Sequence, residues 1–481
     1  MALKDRLDKI FQGYDVRGVY PDEYDGDVAY RLGRAVVAFR DAKRVVLGRD
    51  MRRGGHALLS ALAMGAMDQG ADVTDAGMCS SDALYHAGAA GEYDLSLMVT
   101  ASHNPAEFNG TKMVKLDGTS IGQNSGLMDV KQMVLEGGFP EPARRGQIER
   151  DDGVMRRFIE YALGFIDPGK LKPFKIVVDA GNGMGGVLTD LLGEHVPFEI
   201  IPMNFEPDGT FPVHEADPTR PECVAELAAR VEQEDADLGL GFDGDADRSA
   251  LVTPDGRLLN GSELGSVIAK KLLREEPGAT ISYCLVSSWL IDEAIREAGG
   301  DPVITPVGGA NIRPMMKEQG IVLATERSGH FYLRDNNLAD SGLIAALIGL
   351  EQLSEAGCPL VELIDERLIT SDNRYYLHPE YSLMLGDEDS SIEELAALKA
   401  AAIARTDQLG EGARNVVTVG GDGDREPERR YEFEDWWFCV RPSGTEPRKL
   451  RMTVEARAKS VDEAKALCEQ KYGQIKALLN G

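Results

Sequence analysis

Apolar residues in this chain cluster in short runs that end abruptly in polar or glycine-rich turns. The run 95–99 leads into Thr100-Ala101-Ser102-His103-Asn104-Pro105, 238–242 into Asp243-Gly244-Asp245-Ala246-Asp247-Arg248, and 321–325 into Glu326-Arg327-Ser328-Gly329-His330. Runs this short, apolar throughout and closed by turn residues, predict buried parallel strands. Each follows an earlier run: 45–47 before Gly48-Arg49-Asp50, 176–178 before Asp179, and 281–286 before Ser287-Ser288. Helical periodicity lies between them, at 56–69 before Gly70 and at 225–232. A strand, helix, strand, loop plan used three times predicts three α/β domains of similar build.

The polar stretch 144–152 reads as a link ahead of a helical pattern at 154–165, and Thr253-Pro254-Asp255-Gly256 reads as a turn. The expected domains are therefore 1–150, 151–256 and 257–368. Past Leu368 the character changes. A charged, glycine-rich loop at 420–427 precedes runs at 436–440 and 450–456 that read as antiparallel strands, and Ser460 caps an amphipathic helix over 461–479. Residues 369–481 are expected to form a smaller α+β domain covering a cleft.

Composition narrows the function. Against 80 Asp and Glu stand 52 Lys and Arg, a net charge of -28. That balance disfavours nucleic acid and anionic membranes as partners. It also means that an anionic ligand needs a local cluster of cations. The longest apolar run, 343–350, is too short to span a membrane, and the N-terminus is charged at once, so the expected location is cytoplasmic. Six cysteines without C-x-x-C spacing argue against a zinc site or a disulfide framework and fit a reducing compartment.

The loops carry the chemistry. Ser102 stands where a buried strand gives way to a polar turn, a common position for a nucleophile. Asp243, Asp245 and Asp247 place three carboxylates at alternate positions, a hard oxygen set suited to Mg²⁺. A calcium EF-hand would need Gly and Glu where Arg248 and Pro254 stand, and the bland alternative is a solvated acidic turn. Arg248 is expected to contact substrate or a phosphate oxygen. Arg441-Pro442-Ser443-Gly444-Thr445 can donate side-chain and main-chain hydrogen bonds to a phosphate, or be a surface turn. Arg17, in Tyr14-Asp15-Val16-Arg17-Gly18, with Arg49, Arg52 and Lys112, are cations beside turns that an anionic ligand explains better than chance, though each singly could be a surface ion pair. Lys112 could act as a general acid or base if burial among other cations lowered its pKa. Glu326, Ser328 and His330 can hydrogen-bond sugar hydroxyls, or serve as a cap and a structural histidine. His103 either joins proton transfer or orients its loop.

Taken together, these motifs resemble the α-D-phosphohexomutase family along the whole chain, and most closely its phosphomannomutase/phosphoglucomutase branch; the runner-up is phosphoglucosamine mutase. The resemblance implies three similar α/β domains with mixed sheets plus a C-terminal α+β domain around a central active-site cleft. It implies that Ser102 is phosphorylated and that Asp243, Asp245, Asp247 and a phosphoserine oxygen bind Mg²⁺. It implies further that residues 326–330 select the sugar and that the Arg441 loop holds the phosphate not reacting. Tyr14 and Arg17 are expected on the substrate side. The implied reaction interconverts hexose 1- and 6-phosphates, of mannose or glucose, through a hexose 1,6-bisphosphate that also serves as activator. The expected partners are small sugar phosphates, and the expected state is a monomer or homodimer. Two departures stand out: Arg327 replaces a Met common in the bifunctional enzymes, and the turn after Gly308 lacks an early cation, for which Arg313 or Lys317 would substitute. A phosphatase with an aspartyl nucleophile would leave Ser102 idle. A silent sugar-phosphate sensor would retain Arg441 and Glu326 but have no need of Ser102 or the Asp triad.

Overall fold

Each of the three loop-bearing runs becomes an inner strand of its own sheet. The computed structural model describes residues 2–387, 390–420, 428–443 and 448–480. In the first sheet Leu95–Val99 runs parallel to Arg44–Arg49, which runs parallel to Asp72–Met78, and Phe108–Lys115 returns antiparallel beside Leu95–Val99. The second sheet repeats this order with Leu238–Phe242, Lys175–Asp179, Glu199–Met203 and the returning Ser249–Val252. The third does so with Leu323–Thr325, Thr280–Cys284, Asp301–Thr305 and the returning Phe331–Leu333. All three sheets are thus mixed. Each candidate loop is the connection between an inner parallel strand and its antiparallel return, where the open end of a sheet leaves polar groups free for a ligand.

Leu95–Val99 and Leu238–Phe242 are buried at every position, which is why they read as unbroken apolar runs. Burying a Leu or Val side chain contributes about 1.5–3 kcal/mol. One hydrophobic cluster joins the first three units, from Leu84 and Met98 through Phe158, Leu240 and Phe242 to Leu343 and Leu347. The last two lie on the helix Gly342–Ala356, whose N-cap Ser341 accepts from the Ile344 amide (3.1 Å) and donates to Asp82 of the first unit (2.7 Å).

Three local expectations change. The polar link contains a strand, Ile148–Arg150, which adds an edge to the first sheet by pairing with residues 73–75. The run 281–286 exceeds its strand: Thr280–Cys284 ends the ladder, and Leu285 and Val286 are apolar because they pack against Trp437 and Cys439 of the last domain. The last domain holds a six-stranded sheet in which Trp436–Pro442 and Lys449–Ala458 are joined by Arg374–Leu377, Tyr381–Met384, Asn415–Val419 and Glu428–Glu432, all antiparallel. Several of these strands lie at the edge and are only half covered, so their apolar signal is weak. Ser460 caps Val461–Asn480 as expected, accepting from the Glu463 amide at 3.3 Å. The loop at 421–427 lies outside the described residues.

Candidate active site

The first two hairpin loops meet face to face. Ser102 Oγ donates to Asp243 Oδ2 at 2.9 Å and lies 3.1 Å from His103 Nδ1. The two backbones touch so closely that a Cβ on Gly244 would sit 2.6 Å from the Ser102 carbonyl oxygen, which only glycine avoids. Ser102 itself has φ +51°, an uncommon conformation for a residue with a side chain, and it is almost wholly buried.

What holds it there is Arg52. Its guanidinium donates to the carbonyls of Ser102 (2.6 Å), Asn104 (2.5 Å), Pro105 (2.8 Å) and Phe108 (3.0 Å), with Phe211 of the second unit stacked over it at 4.8 Å. Asp50 balances the charge at 3.5 Å and accepts from Thr100 Oγ1 at 2.6 Å; Thr100 Oγ1 in turn accepts from the Ser102 amide at 2.9 Å. Arg52 was expected to face an anionic ligand; it is instead spent on the serine loop. Arg49 likewise donates to the Asp50 carbonyl, at 2.9 Å. Arg17 is braced by Asp15 and donates to Asn104 Oδ1 (2.7 Å) and the Ala101 carbonyl (3.2 Å).

Asp243, Asp245 and Asp247 are buried, and their ligand oxygens all lie within 4.8 Å of one another. Asp245 Oδ1 and Asp247 Oδ1 have no hydrogen-bond partner among the described residues. Burial pushes the Asp243 carboxyl up to about 7 against the pull of Arg248, and the other two carboxylates add to the rise. Lys112 donates to Asp245 Oδ2 (2.7 Å) and Asp247 Oδ2 (2.5 Å). Converging carboxylates with orphaned oxygens fit a divalent cation bound by hard ligands. Asp247 belongs to a second converging group with His330 and Asp340.

Lys112, expected among other cations, pairs instead with carboxylates: burial opposes its charge, but Asp245 and Asp247 outweigh it and raise the ammonium well above its ordinary pKa, opposite to the direction a general acid or base needs. The imidazole of His103 is held neutral by burial and by nearby Arg248. Arg248 donates from Nε to Asp243 Oδ2 (3.0 Å), and its Nη1 reaches Asp217 Oδ1 and the Ser328 carbonyl, both at 3.4 Å. Its Nη2 is buried without a partner among the described residues, a donor available to a phosphate or sugar oxygen.

The third loop completes the wall. Glu326 accepts from the Gly308 amide (2.8 Å) and from Tyr332 Oη (2.9 Å). Gly308, at φ +97°, lets Tyr14 lie against it, and Tyr14 Oη donates to the Val307 carbonyl at 3.1 Å. His330 Nδ1 is 2.7 Å from Asp340 Oδ2; burial opposes its protonation, but Asp247 and Asp340 raise its pKa. Ser328 is half-buried on this loop. Of the two substitute cations, Arg313 is taken up by Asp340 (2.6 Å) between Tyr85 and Tyr332, and Lys317 pairs with Asp117 on the surface (3.0 Å). In the last domain Arg441 reaches Glu380 at 3.4 Å, and Ser443 follows it; Gly444 and Thr445 lie outside the described residues.

Four residues of this wall escape sequence reading: Ser81, which donates to Asp245 Oδ2 at 2.5 Å, and Asp50, Asp217 and Asp340. Ser80-Ser81-Asp82 follows a strand as the recognised loops do, and that signal was available. Asp217 lies on an irregular loop with no such mark.

Comparison with known proteins shows the family. Three family models match in order: Phosphoglucomutase/phosphomannomutase, alpha/beta/alpha domain I over residues 8–134, domain II over 156–256 and domain III over 260–370. The chain is 34% identical to a protein of Xanthomonas campestris pv. campestris named Phosphohexose mutases, over 98% of this chain and 99% of that one. It is 32% identical to an Escherichia coli Phosphomannomutase, with 98% of each covered. A crystal structure of a Phosphoglucomutase/phosphomannomutase family protein from Burkholderia thailandensis superposes with a TM-score of 0.83 at 30% identity, covering 98% of both chains.

Proposed function

The chain belongs to the phosphoglucomutase/phosphomannomutase family of α-D-phosphohexomutases, and from that premise we propose that it interconverts hexose 1-phosphate and hexose 6-phosphate, of mannose, glucose or both, through a phosphorylated Ser102. The observation that carries this reading is the meeting of Ser102 Oγ with Asp243 at 2.9 Å, in a wall that also holds Arg17, Lys112 and Arg248. In a chain of net charge -28, cations gathered at one serine suit a phosphoryl group.

In the proposed cycle, the bond between phosphorus and Ser102 Oγ breaks as a bond to the free sugar hydroxyl forms. The proton of the attacking hydroxyl ends on Ser102 Oγ, the leaving oxygen, and in the return step it passes from Ser102 to the sugar oxygen that gives up the other phosphate of the 1,6-bisphosphate. Positioning and charge neutralisation are most of what such a transfer asks of a protein. Arg52 fixes the nucleophile, and Arg248 offers its unpartnered Nη2 to the phosphoryl or sugar oxygens. Glu326 and His330 receive sugar hydroxyls, and Arg441 with Ser443 takes the phosphate not reacting. Asp243, Asp245 and Asp247 would hold Mg²⁺, which when bound neutralises phosphoryl oxygens and frees Lys112 for the substrate. Unpaired cysteines, and the lack of any described helix long and apolar enough to cross a membrane, are consistent with the proposed cytoplasmic setting.

The test is turnover of mannose 1-phosphate, glucose 1-phosphate and glucosamine 1-phosphate with Mg²⁺ and a trace of glucose 1,6-bisphosphate. Conversion of the first two to 6-phosphates, absent in Ser102→Ala, supports the reading. Turnover of glucosamine 1-phosphate alone would reassign the sugar, and release of inorganic phosphate in step with substrate would replace mutase by phosphatase.

A further inference from the structure

Arg327 sits between two sugar-loop residues, Glu326 and Ser328, yet it reaches into the last domain. Its Nη2 donates to the carbonyl of His378 at 2.8 Å. Two residues further on, Glu380 accepts from Arg451 Nη1 at 2.8 Å and from Arg441 Nη2 at 3.4 Å. Burial alone would raise the Glu380 carboxyl, but Arg441, Arg451 and Arg327 together hold it below its usual range. These guanidiniums offer more donors than one carboxylate accepts: Arg441 Nε and Arg327 Nη1 are buried without a hydrogen-bond partner among the described residues.

Resting on the mutase reading, we propose that Glu380 is a resident carboxylate which the substrate's non-reacting phosphate displaces from Arg441 and Arg451, and that Arg327 is a further phosphate ligand tying sugar selection to phosphate capture. The reaction supplies the physical reason. A bisphosphate that must turn over has to leave these arginines in every cycle. Departure from a partly buried cation cluster is slow if the guanidiniums are left unpaired. A carboxylate on the connection between two strands of that sheet, already in contact, takes the place of the leaving phosphate, so capture stays selective while release stays fast. A phosphate has more acceptor oxygens than Glu380, and these can reach the donors that the carboxylate leaves unmet.

The sign of one substitution decides the matter. In the Ser102→Ala background, which binds without turnover, calorimetric titration with glucose 6-phosphate should show Glu380→Gln binding about 10-fold tighter and Arg327→Met about 10-fold weaker. Unphosphorylated glucose should show no difference. With Ser102 intact, Glu380→Gln should lower both KM and kcat, because release slows. Glu380→Asp keeps the charge but withdraws it by one methylene, so it should bind with intermediate affinity and guards against misfolding of the Gln variant. Weaker or unchanged binding in Glu380→Gln would show that Glu380 only braces the arginines and would overturn the exchange. Unchanged binding in Arg327→Met would reduce Arg327 to an interdomain tie. If the unmodified protein isomerises nothing, the mutase reading fails, while the titrations still report on the exchange.

Discussion

Two seams between domains divide the work of this molecule, and they are built from different materials. Around the candidate loops, above the apolar cluster the two units share, the seam between the first two units is made of charge and directed hydrogen bonds: Ser102 to Asp243, Ser81 and Lys112 to Asp245, and Arg52 beneath Phe211. The seam between the third unit and the last domain is mostly apolar, with Leu285, Val286, Trp289, Trp437 and Cys439 packed together. At its centre Glu455 accepts from Ser288 Oγ, from the Trp289 amide (2.8 Å) and from Trp437 Nε1 (2.6 Å), beside Arg430, which donates to the carbonyls of Leu285 and Ser287. Apolar area can join two bodies without fixing any one atom. A reacting oxygen needs a fixed position, which only directional bonds supply. The first seam is therefore expected to fail in rate and the second in stability.

Ser102→Ala should remove roughly 10⁴-fold or more of the isomerase activity while melting like the parent, because it deletes the proposed phosphoryl carrier and little else. Asp243→Asn should cost on the order of 10³-fold in kcat and abolish the response to added Mg²⁺. At the other seam, Glu455→Ala strands three donors, two of them buried, and should cost about 2–4 kcal/mol, read as an earlier unfolding transition of the last domain. Arg52→Gln tests the division most directly: a loss of about 10²-fold in kcat with KM nearly unchanged is expected. If melting temperature falls instead and kcat holds, the first seam is structural after all.

The smallest effect concerns pH. His86 stacks on Tyr161 across the first seam at 3.9 Å, and burial, with help from Arg157, lowers its pKa to about 4 from an ordinary 6.5. Between those values the unfolded chain binds more protons than the native one. Stability from this site is thus present above about 6.5 and is lost as pH falls toward 4. Melting curves at pH 7 and pH 5 should differ less in His86→Gln than in the parent.

Much of this was legible beforehand, and the reasons lie in particular residues. Fully buried strands such as Leu95–Val99 announce themselves as unbroken apolar runs, and the loops after them carry side chains whose spacing suits one chemistry. Ser102, Asp243, Asp245, Asp247, Glu326 and His330 were singled out that way, and three of the loops proved to be the same connection in three like sheets. The half-covered strands Arg374–Leu377 and Asn415–Val419 gave no such signal. Arg52 and Lys112 were recognised as cations near turns, but their partners were misjudged.

From the chain alone came the repeat, the fold class and the choice of candidate loops, because these rest on local pattern: periodicity, burial of short runs and the chemistry of neighbouring side chains. The tertiary structure alone decided what each charge faces. A guanidinium in sequence is only a cation; whether it holds a carbonyl, as Arg52 does, a carboxylate, as Arg313 does, or keeps a donor unmet among the described residues, as Arg248 does, depends on groups distant in the chain. Electrostatic partnership falls off with distance in space and carries no periodicity along the chain, so it becomes readable only when the fold brings the partners together.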